Sequence, residues 1–343
     1  MKRNLRYVQI LATVASLALF VYMLRRASNT TVLDKARLLG WGIAFLIVLS
    51  GARHVLRTLA WHKCLGPDGR RPGLLDLFGL RLMGEAFNSL TPAGPLVGET
   101  AKVWAASRRM PAQSSISSVV IENLIYYLAA VLFMLSAVVL VLLELAPTHR
   151  FRWLAAGLLI CFLASMLAAA RSVRRRVSLV RGLLDGLRSW GFKCALLEPY
   201  EHDLCAMEME IYDFFMTRRA LFLGLLALEF ATNFTGIGEA YLVLKATTAH
   251  TSVLAAYLVE STNRAVQLLF AFVPLGLGVD EGLAATTLRT LGYNASEGIS
   301  LAIIRKIRTV FWVGVGLLLA AKYSFARSEG ERTTYEAAYC ERG

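Results

Sequence analysis

Leu124 to Leu143 reads LIYYLAAVLFMLSAVVLVLL, 20 residues without one charged side chain. A helix needs about 20 mostly apolar residues to cross the hydrocarbon core of a bilayer. A second run, Trp153 to Ala170, is nearly as long. Neither run could be buried in one compact soluble core, and a spanning segment must satisfy its own backbone hydrogen bonds. The sequence therefore predicts an all-α, polytopic membrane helical bundle.

The composition of the whole chain agrees with this class. The 343 residues are 56% hydrophobic, and the mean hydropathy is +0.53. The net charge of +13 comes from Lys and Arg clustered between hydrophobic segments, which is typical of the positive-inside rule and not of nucleic-acid binding. We expect anionic lipid headgroups as partners and no nucleic acid. The five cysteines form no C-x-x-C pair, so neither a disulfide framework nor a metal site is predicted.

Hydropathy predicts six full crossings and two broken segments in a single transmembrane domain, residues 1–343. The crossings are expected at about 6–24, an uncleaved signal anchor, and at 38–61, 116–145, 151–170, 220–244 and 299–321. The segments at about 74–108 and 252–292 are apolar but interrupted by Pro and Gly, and we predict re-entrant hairpins there. This topology places both termini, including a tail at 323–343, in the cytoplasm.

The largest polar stretch, 171–219, is predicted to be a cytoplasmic amphipathic hairpin. Its first part is rich in Arg, and its apolar residues from Val173 to Leu187 recur at helical spacing. Such a helix is expected to lie on the membrane surface. A more acidic helix follows and should pack back on the basic one.

An internal repeat is the most informative feature of the chain. Pro92 to Glu99 and Pro274 to Glu281 both read P-x-G-x-x-V-x-E, 182 positions apart (274 − 92). At the same offset the apolar stretch Val119–Ala137 falls on Leu301–Leu319. Three predicted crossings separate the motifs, so unit 220–322 would enter the membrane from the opposite side to unit 38–145. Such inverted repeats are common in secondary transporters, with the substrate site near the midplane.

Polar side chains follow one helix face in each broken segment. The first stripe is Arg81, Glu85 and Asn88, and the second is Glu260, Asn263, Arg264 and Gln267. Ionisable residues inside a membrane are costly and usually face a cavity or a partner. These stripes therefore either line a substrate cavity or pair with each other to hold the bundle together.

The two repeated motifs are expected to end one half-helix and begin another, because Pro stops a helix and Gly permits sharp turns. Their Pro and Gly residues are Pro92, Gly94, Gly98, Pro274, Gly276 and Gly278. The N-terminus of a half-helix suits an anion such as phosphate. Glu99 and Glu281 are expected in the first turn, where they either cap the helix or bind a cation, a proton or a cationic headgroup.

Further polar residues lie in the apolar crossings, namely Glu122, Glu229, Asn233, Arg305 and Arg308. The two arginines either bind an anionic headgroup or snorkel to the outer interface. Signals for catalysis are poor, since the chain has no Walker A motif, no dinucleotide fingerprint and no nucleophile elbow. We therefore expect neither an enzyme nor a cofactor.

Taken together, these motifs resemble the lysylphosphatidylglycerol synthetase transmembrane-region family over roughly residues 5–322. The segment Asn88-Ser89-Leu90-Thr91-Pro92, with Gly98-Glu99 and Lys102, resembles its first signature, and Val120-Ile121-Glu122 resembles its Glu-containing helix. Pro274, Gly276, Gly278 and Glu281 resemble its second signature, and Arg305 resembles the Arg of its last crossing. Asn123 stands where the family pattern has Arg, and we expect no cytosolic aminoacyltransferase in this chain.

The resemblance implies a lipid flippase or transporter of the bacterial cytoplasmic membrane. It would move an anionic or aminoacylated headgroup, of a phospholipid or glycolipid, through a cavity between two inverted halves, either downhill or on an ion gradient. The polar residues and motif residues named above, with Lys102, are the expected substrate-binding residues. One alternative is a non-transporting accessory protein that docks a lipid- or glycolipid-modifying enzyme through 171–219, and another is a membrane-embedded transferase. A homodimer is also compatible with the sequence.

Overall fold

The computed structural model describes residues 40–65, 72–91, 94–144, 149–189, 201–248, 250–271, 273–276 and 278–340. Nearly all of these residues are helical, and none of them lies in a strand. The all-α prediction is therefore confirmed. The predicted first crossing, 6–24, and Pro92 lie outside the described residues.

The helices follow one another with short connections. In the first half, α1 spans Trp41–Cys64, α2 Leu74–Leu90, α3 Gly94–Ala106 and α4 Ala112–Glu144. The middle of the chain holds α5 His149–Arg175, α6 Leu179–Ser189 and α7 Glu201–Thr217. In the second half, α8 spans Arg219–Thr247, α9 Val253–Leu269, α10 Val279–Thr290 and α11 Ala295–Cys340, with a 3-10 turn at Pro274–Gly276.

Four helices of the described residues are long and apolar enough to cross a membrane. They are α1, α4, α5 from Arg152 onward, and α8, and they coincide with the predicted crossings at 38–61, 116–145, 151–170 and 220–244. The predicted crossing at 299–321 lies within α11, where charged residues 305, 306 and 308 interrupt the apolar sequence, and it stays a prediction. Only 6% of the most apolar 18-residue stretch of α5 is buried inside the protein, as expected for a helix at the lipid-facing edge of the bundle.

Each broken segment consists of two packed helices and not one straight helix. The first breaks between Leu90 and Gly94, and α2 packs against α3. The second breaks between Leu269 and Val279, and α9 packs against α10. In the second break Leu275, Gly276 and Gly278 have φ of 54°, 59° and 79°. Glycine adopts such angles readily, whereas Leu275 does so against its steric preference.

The order of the helices repeats at the offset found in the sequence. Shifted by 182 positions, α1 to α4 would begin at 223, 256, 276 and 294, and α8 to α11 begin within four residues of these positions. The packing repeats as well, because α2 packs on α11 and its counterpart α9 packs on α4. The counterparts α1 and α8 run antiparallel, since Leu46 clusters with Leu244 whereas Cys64 clusters with Leu225.

The polar middle of the chain differs from the expected single basic helix. The helix α5 continues to Arg175, and the chain turns at Arg176, whose φ is 49°, before α6 begins. Arginines at the C-terminal end of α5 favour this extension, because cations there complement the helix dipole. The basic and acidic parts do pack together, with Arg188 3.1 Å from Glu201 and Arg176 2.6 Å from Asp213.

The close packing of α2 on α3 requires glycine at position 98. A Cβ there would lie 2.5 Å from the carbonyl oxygen of Gly84. We expect Gly98→Ala to lower the free energy of unfolding by about 1–3 kcal/mol, measured as a lower Tm in detergent. Gly157→Ala on α5 is the control, because no atom lies within 4 Å of its added Cβ. Equal Tm values for both variants would contradict this packing.

Candidate functional site

A polar cavity of about 240 Å³ lies between the two halves of the fold. Helices α1, α2, α4, α9 and α11 form most of its wall. Both broken segments reach it, through Pro95 of the first and Leu275 of the second. Leu275 also packs on Ala86 and Leu90 of α2, so the two breaks are neighbours. The matched motifs of the sequence therefore meet at one site.

Seven of the predicted binding residues line this cavity: Glu85, Asn88, Glu99, Arg264, Gln267, Gly276 and Arg308. The sequence analysis missed three charged residues and one histidine of the cavity wall, which are Arg53, Arg57, Asp280 and His54. Arg53 and Arg57 gave a usable signal, because they stand one turn apart in an otherwise apolar crossing. Asn123, where the family pattern has Arg, lines the cavity too.

Glu122 of α4 is the centre of a first buried ion cluster. Its side chain is 1% exposed and lies 3.1 Å from Arg57, 3.1 Å from Arg81 and 3.4 Å from Lys102. Arg57 also approaches Glu229 of α8 at 3.7 Å. Glu122, Arg81, Lys102 and Glu229 therefore lie behind the cavity wall, and Arg57 joins them to it.

Glu260 of α9 is the centre of a second buried ion cluster. Its carboxylate, with a side chain 0% exposed, lies 2.6 Å from Arg305, 3.2 Å from Arg264 and 4.0 Å from Arg53. Arg305 also donates to the carbonyl oxygen of Gly236 at 3.3 Å. Arg264 extends from this cluster into the cavity, where it donates to Gln267 at 3.2 Å.

Glu239 of α8 connects the second cluster to α1 and α11. It pairs with Arg308 and, at 3.3 Å, with Arg53. Arg305 and Arg308 therefore point into the bundle, and the snorkelling interpretation of these two residues is wrong. The reason is that buried carboxylates on α8 and α9 hold both guanidinium groups, which the spacing of residues within α11 cannot reveal.

Four guanidinium groups lie at the wall of the polar cavity. Arg53, Arg57, Arg264 and Arg308 all line the cavity, and each pairs with a buried glutamate. Such pairing offsets the cost of removing a charge from water. Guanidinium groups bind phosphate oxygens through strong, charge-assisted hydrogen bonds. The cavity wall therefore carries groups that can bind a phosphate.

Aromatic side chains fix parts of this wall. The guanidinium carbon of Arg57 lies 4.0 Å from the centre of the Tyr126 ring, a cation–π contact. The indole of Trp312 donates to the Ser50 hydroxyl at 2.6 Å, and its ring centroid lies 5.1 Å from that of His54, with the two rings tilted by 59°. These contacts restrict the positions of groups that face the cavity.

The two repeated glutamates have different roles. Glu281 caps α10, because its carboxylate accepts the backbone N–H of Gly278 at 2.8 Å, and it also pairs with Lys306. Glu99 is the sixth residue of α3, beyond the first turn, so the capping interpretation is wrong for it. The reason is that α3 begins at the first glycine of the motif. Glu99 pairs with Lys102 at 2.6 Å and faces the cavity.

The remaining predicted residues lie near the site without lining the main cavity. Asn263 lines a second, small cavity of about 20 Å³ beside Arg305. Asn233 is buried in α8. The others, Gly94, Gly98, Pro274 and Gly278, belong to the helix breaks and to the packing of α3 on α2.

The family model for the lysylphosphatidylglycerol synthase TM region matches residues 9–317. The chain belongs to this family. The matched region includes both helix breaks, both ion clusters and every residue of the cavity wall. Comparisons with curated proteins and with solved structures give no match.

Membership in this family accounts for the sequence motifs together. As a protein of the lysylphosphatidylglycerol synthase transmembrane region, this chain is a multi-pass membrane protein related to lipid modification or transport. The family resemblance inferred from the Pro-Gly motifs, Glu122 and Arg305 is thereby confirmed.

Proposed function

We propose that this protein is a lipid flippase that moves headgroups between leaflets through the polar cavity. The observation that carries the proposal is the set of four arginines held at the cavity wall by buried glutamates. A headgroup phosphate would bind these arginines while the acyl chains stay in the bilayer. Groups of both charges are available, because Glu85, Glu99 and Asp280 also line the cavity.

We infer that the two halves form an inverted repeat, which would allow alternating access to this cavity. Counterpart helices α1 and α8 run antiparallel, and α1, α4 and α5 are three candidate crossings before α8. With α2–α3 and α9–α10 as re-entrant hairpins, the two halves enter the membrane from opposite sides. A substrate site at the interface of inverted halves is the usual arrangement in secondary transporters. Small rocking motions of one half against the other would open the cavity to each leaflet in turn.

The proposed topology places 171–219 and the C-terminal tail in the cytoplasm. We expect cysteines introduced at Ser189 and Ser328, after replacement of the five native cysteines, to react with membrane-impermeant reagents only from the cytoplasmic side. The physical reason is the Arg density of 171–188, which resists translocation. Labelling of either position from the outside only would contradict this topology.

The cavity should retain lipid during purification. We expect Asn123→Trp, which fills the cavity, to lower the amount of co-purified lipid about tenfold or more, a change of about 1.4 kcal/mol in binding. The measurement is mass spectrometry of lipids extracted from purified protein. Ala164→Trp on the exposed side of α5 is the matched control, because it adds the same side chain outside the cavity. Equal lipid content in both variants would contradict headgroup binding in the cavity.

A further inference from the structure

Asp280 lies at the boundary of the two cavities. It is the second residue of α10, directly after the second helix break, and lines both the 240 Å³ cavity and the 20 Å³ cavity. Its carboxylate lies over the backbone of Gly276, where an added Cβ would come within 2.6 Å of Oδ2. Among the described residues, its buried Oδ1 has no hydrogen-bond partner.

The cations nearest to Asp280 form ion pairs with other carboxylates. Lys306 pairs with Glu281 and approaches the carbonyl oxygen of Gly276 at 3.5 Å. Arg305 pairs with Glu260 at 2.6 Å. An ionised carboxylate away from water is costly unless a cation or hydrogen-bond donors compensate it. Within the described part of the chain, Asp280 therefore lacks the compensation that Glu122, Glu239 and Glu260 have.

This carboxylate is not part of the repeated motif. The counterpart of Asp280 at the 182-residue offset is Gly98, which has no side chain to pair. The glutamates at the next position, Glu99 and Glu281, occur in both halves. Asp280 is thus a feature of one half only, in the wall of the substrate cavity.

We propose that Asp280 binds a proton while the small cavity is closed and exchanges it with water when the second break moves, which couples lipid movement to proton movement. The coupling rests on the proposed flippase function, whereas proton binding does not. A proton fits better than a metal ion because Arg305 lines the same small cavity. Across the described residues, no group of three or more His, Cys, Asp or Glu could hold a metal ion.

Groups on three helices set the charge around Asp280. Glu281 on its own helix repels the ionised form, whereas Lys306 and Arg305 on α11 attract it. From α9, Asn263 lines the small cavity and Arg264 lines the large one. Movement of the second break would change the distance from Asp280 to the cations of α11, and with it the affinity for the proton.

Dicyclohexylcarbodiimide tests proton binding without any transport. A protonated carboxyl group in apolar surroundings adds its O–H across one C=N bond of the reagent, and the O-acylisourea rearranges to a stable N-acylurea. We expect mass spectrometry to find this adduct on Asp280, with a yield that falls about tenfold per pH unit once the carboxyl group is mostly ionised. Asp76, a half-exposed carboxylate paired with Arg109, is the internal control and should stay unmodified. An unmodified Asp280 at every pH would overturn the proposal.

Translocation under an imposed pH gradient tests the coupling. In proteoliposomes the wild-type rate for a headgroup-labelled phospholipid should differ between the two directions of the gradient. Asp280→Asn keeps the shape but cannot release a proton, so its rate should be the same in both directions, while Asp76→Asn should behave as the wild type. A gradient response in Asp280→Asn equal to that of the wild type would overturn the coupling. Absence of translocation in the wild type would instead reject the flippase function, and the labelling result would still decide proton binding.

Discussion

Replacing Glu122 by Gln is expected to prevent stable folding. Glu122 is the common partner of Arg57, Arg81 and Lys102, and its side chain is 1% exposed. Removing one member of a buried ion pair leaves an uncompensated charge and costs about 3–5 kcal/mol. In this variant three cations lose the carboxylate that they share. Arg57 still has Glu229 as a partner, and Lys102 still has Glu99. Arg81 has neither of these partners, so its charge accounts for most of the expected loss of stability.

The measurement is thermal unfolding of the purified protein in detergent, together with the yield of monodisperse protein. Glu144→Gln is the matched control, because Glu144 lies on the same helix but is exposed at its end. A Glu122→Gln variant with the yield and Tm of the control would contradict the first ion cluster. Recovery of part of the yield on adding Arg81→Gln would support it, since that change removes the unpaired cation.

Glu99→Gln is expected to slow lipid translocation strongly while the protein still folds, whereas Glu281→Gln is expected to keep translocation. Glu99 faces the cavity, and Lys102 keeps its contact with Glu122 when the charge at position 99 is lost. Glu281 caps α10, and the amide oxygen of Gln can still accept the N–H of Gly278. The loss at position 281 should therefore be about 1 kcal/mol of stability, within the range for helix caps.

The two variants are compared with each other and with the wild type by lipid translocation in proteoliposomes at matched protein levels. We expect the rate of Glu99→Gln to fall about tenfold or more, equivalent to at least 1.4 kcal/mol in the barrier. If both single variants and the double variant translocate lipid at a rate near that of the wild type, Glu99 has only a structural role in the packing of α3.

The fold could be predicted from the sequence where its cause is local. The apolar run in α4 is long enough to span a bilayer whatever the rest of the chain does. The Pro and Gly residues of the two motifs interrupt helices for reasons internal to the backbone, and the structure has both breaks. The internal repeat could be recognised from the sequence because the hydropathy pattern and the Pro and Gly positions recur at the same offset.

The site could be predicted only in part, because its charges are paired over long distances. Arg53 and Glu239 are 186 positions apart, and their contact depends on the packing of α1 on α8. Periodicity places Arg305 on a helix face but cannot identify Glu260 as its partner. The turn at Arg176 and the start of α3 at Gly94 were missed because helix ends depend on a few residues whose preferences are weak.

Lipid translocation by the purified wild-type protein is the most direct test of the central claim. Vesicles containing a headgroup-labelled phospholipid are reconstituted with the wild type, with Asn123→Trp or with Ala164→Trp, and the label in the outer leaflet is quenched over time. We expect the wild type and Ala164→Trp to bring the inner-leaflet lipid to the quencher, and Asn123→Trp to be about as slow as protein-free vesicles. A wild-type rate equal to that of protein-free vesicles, or an Asn123→Trp rate equal to that of the wild type, would contradict headgroup passage through the cavity.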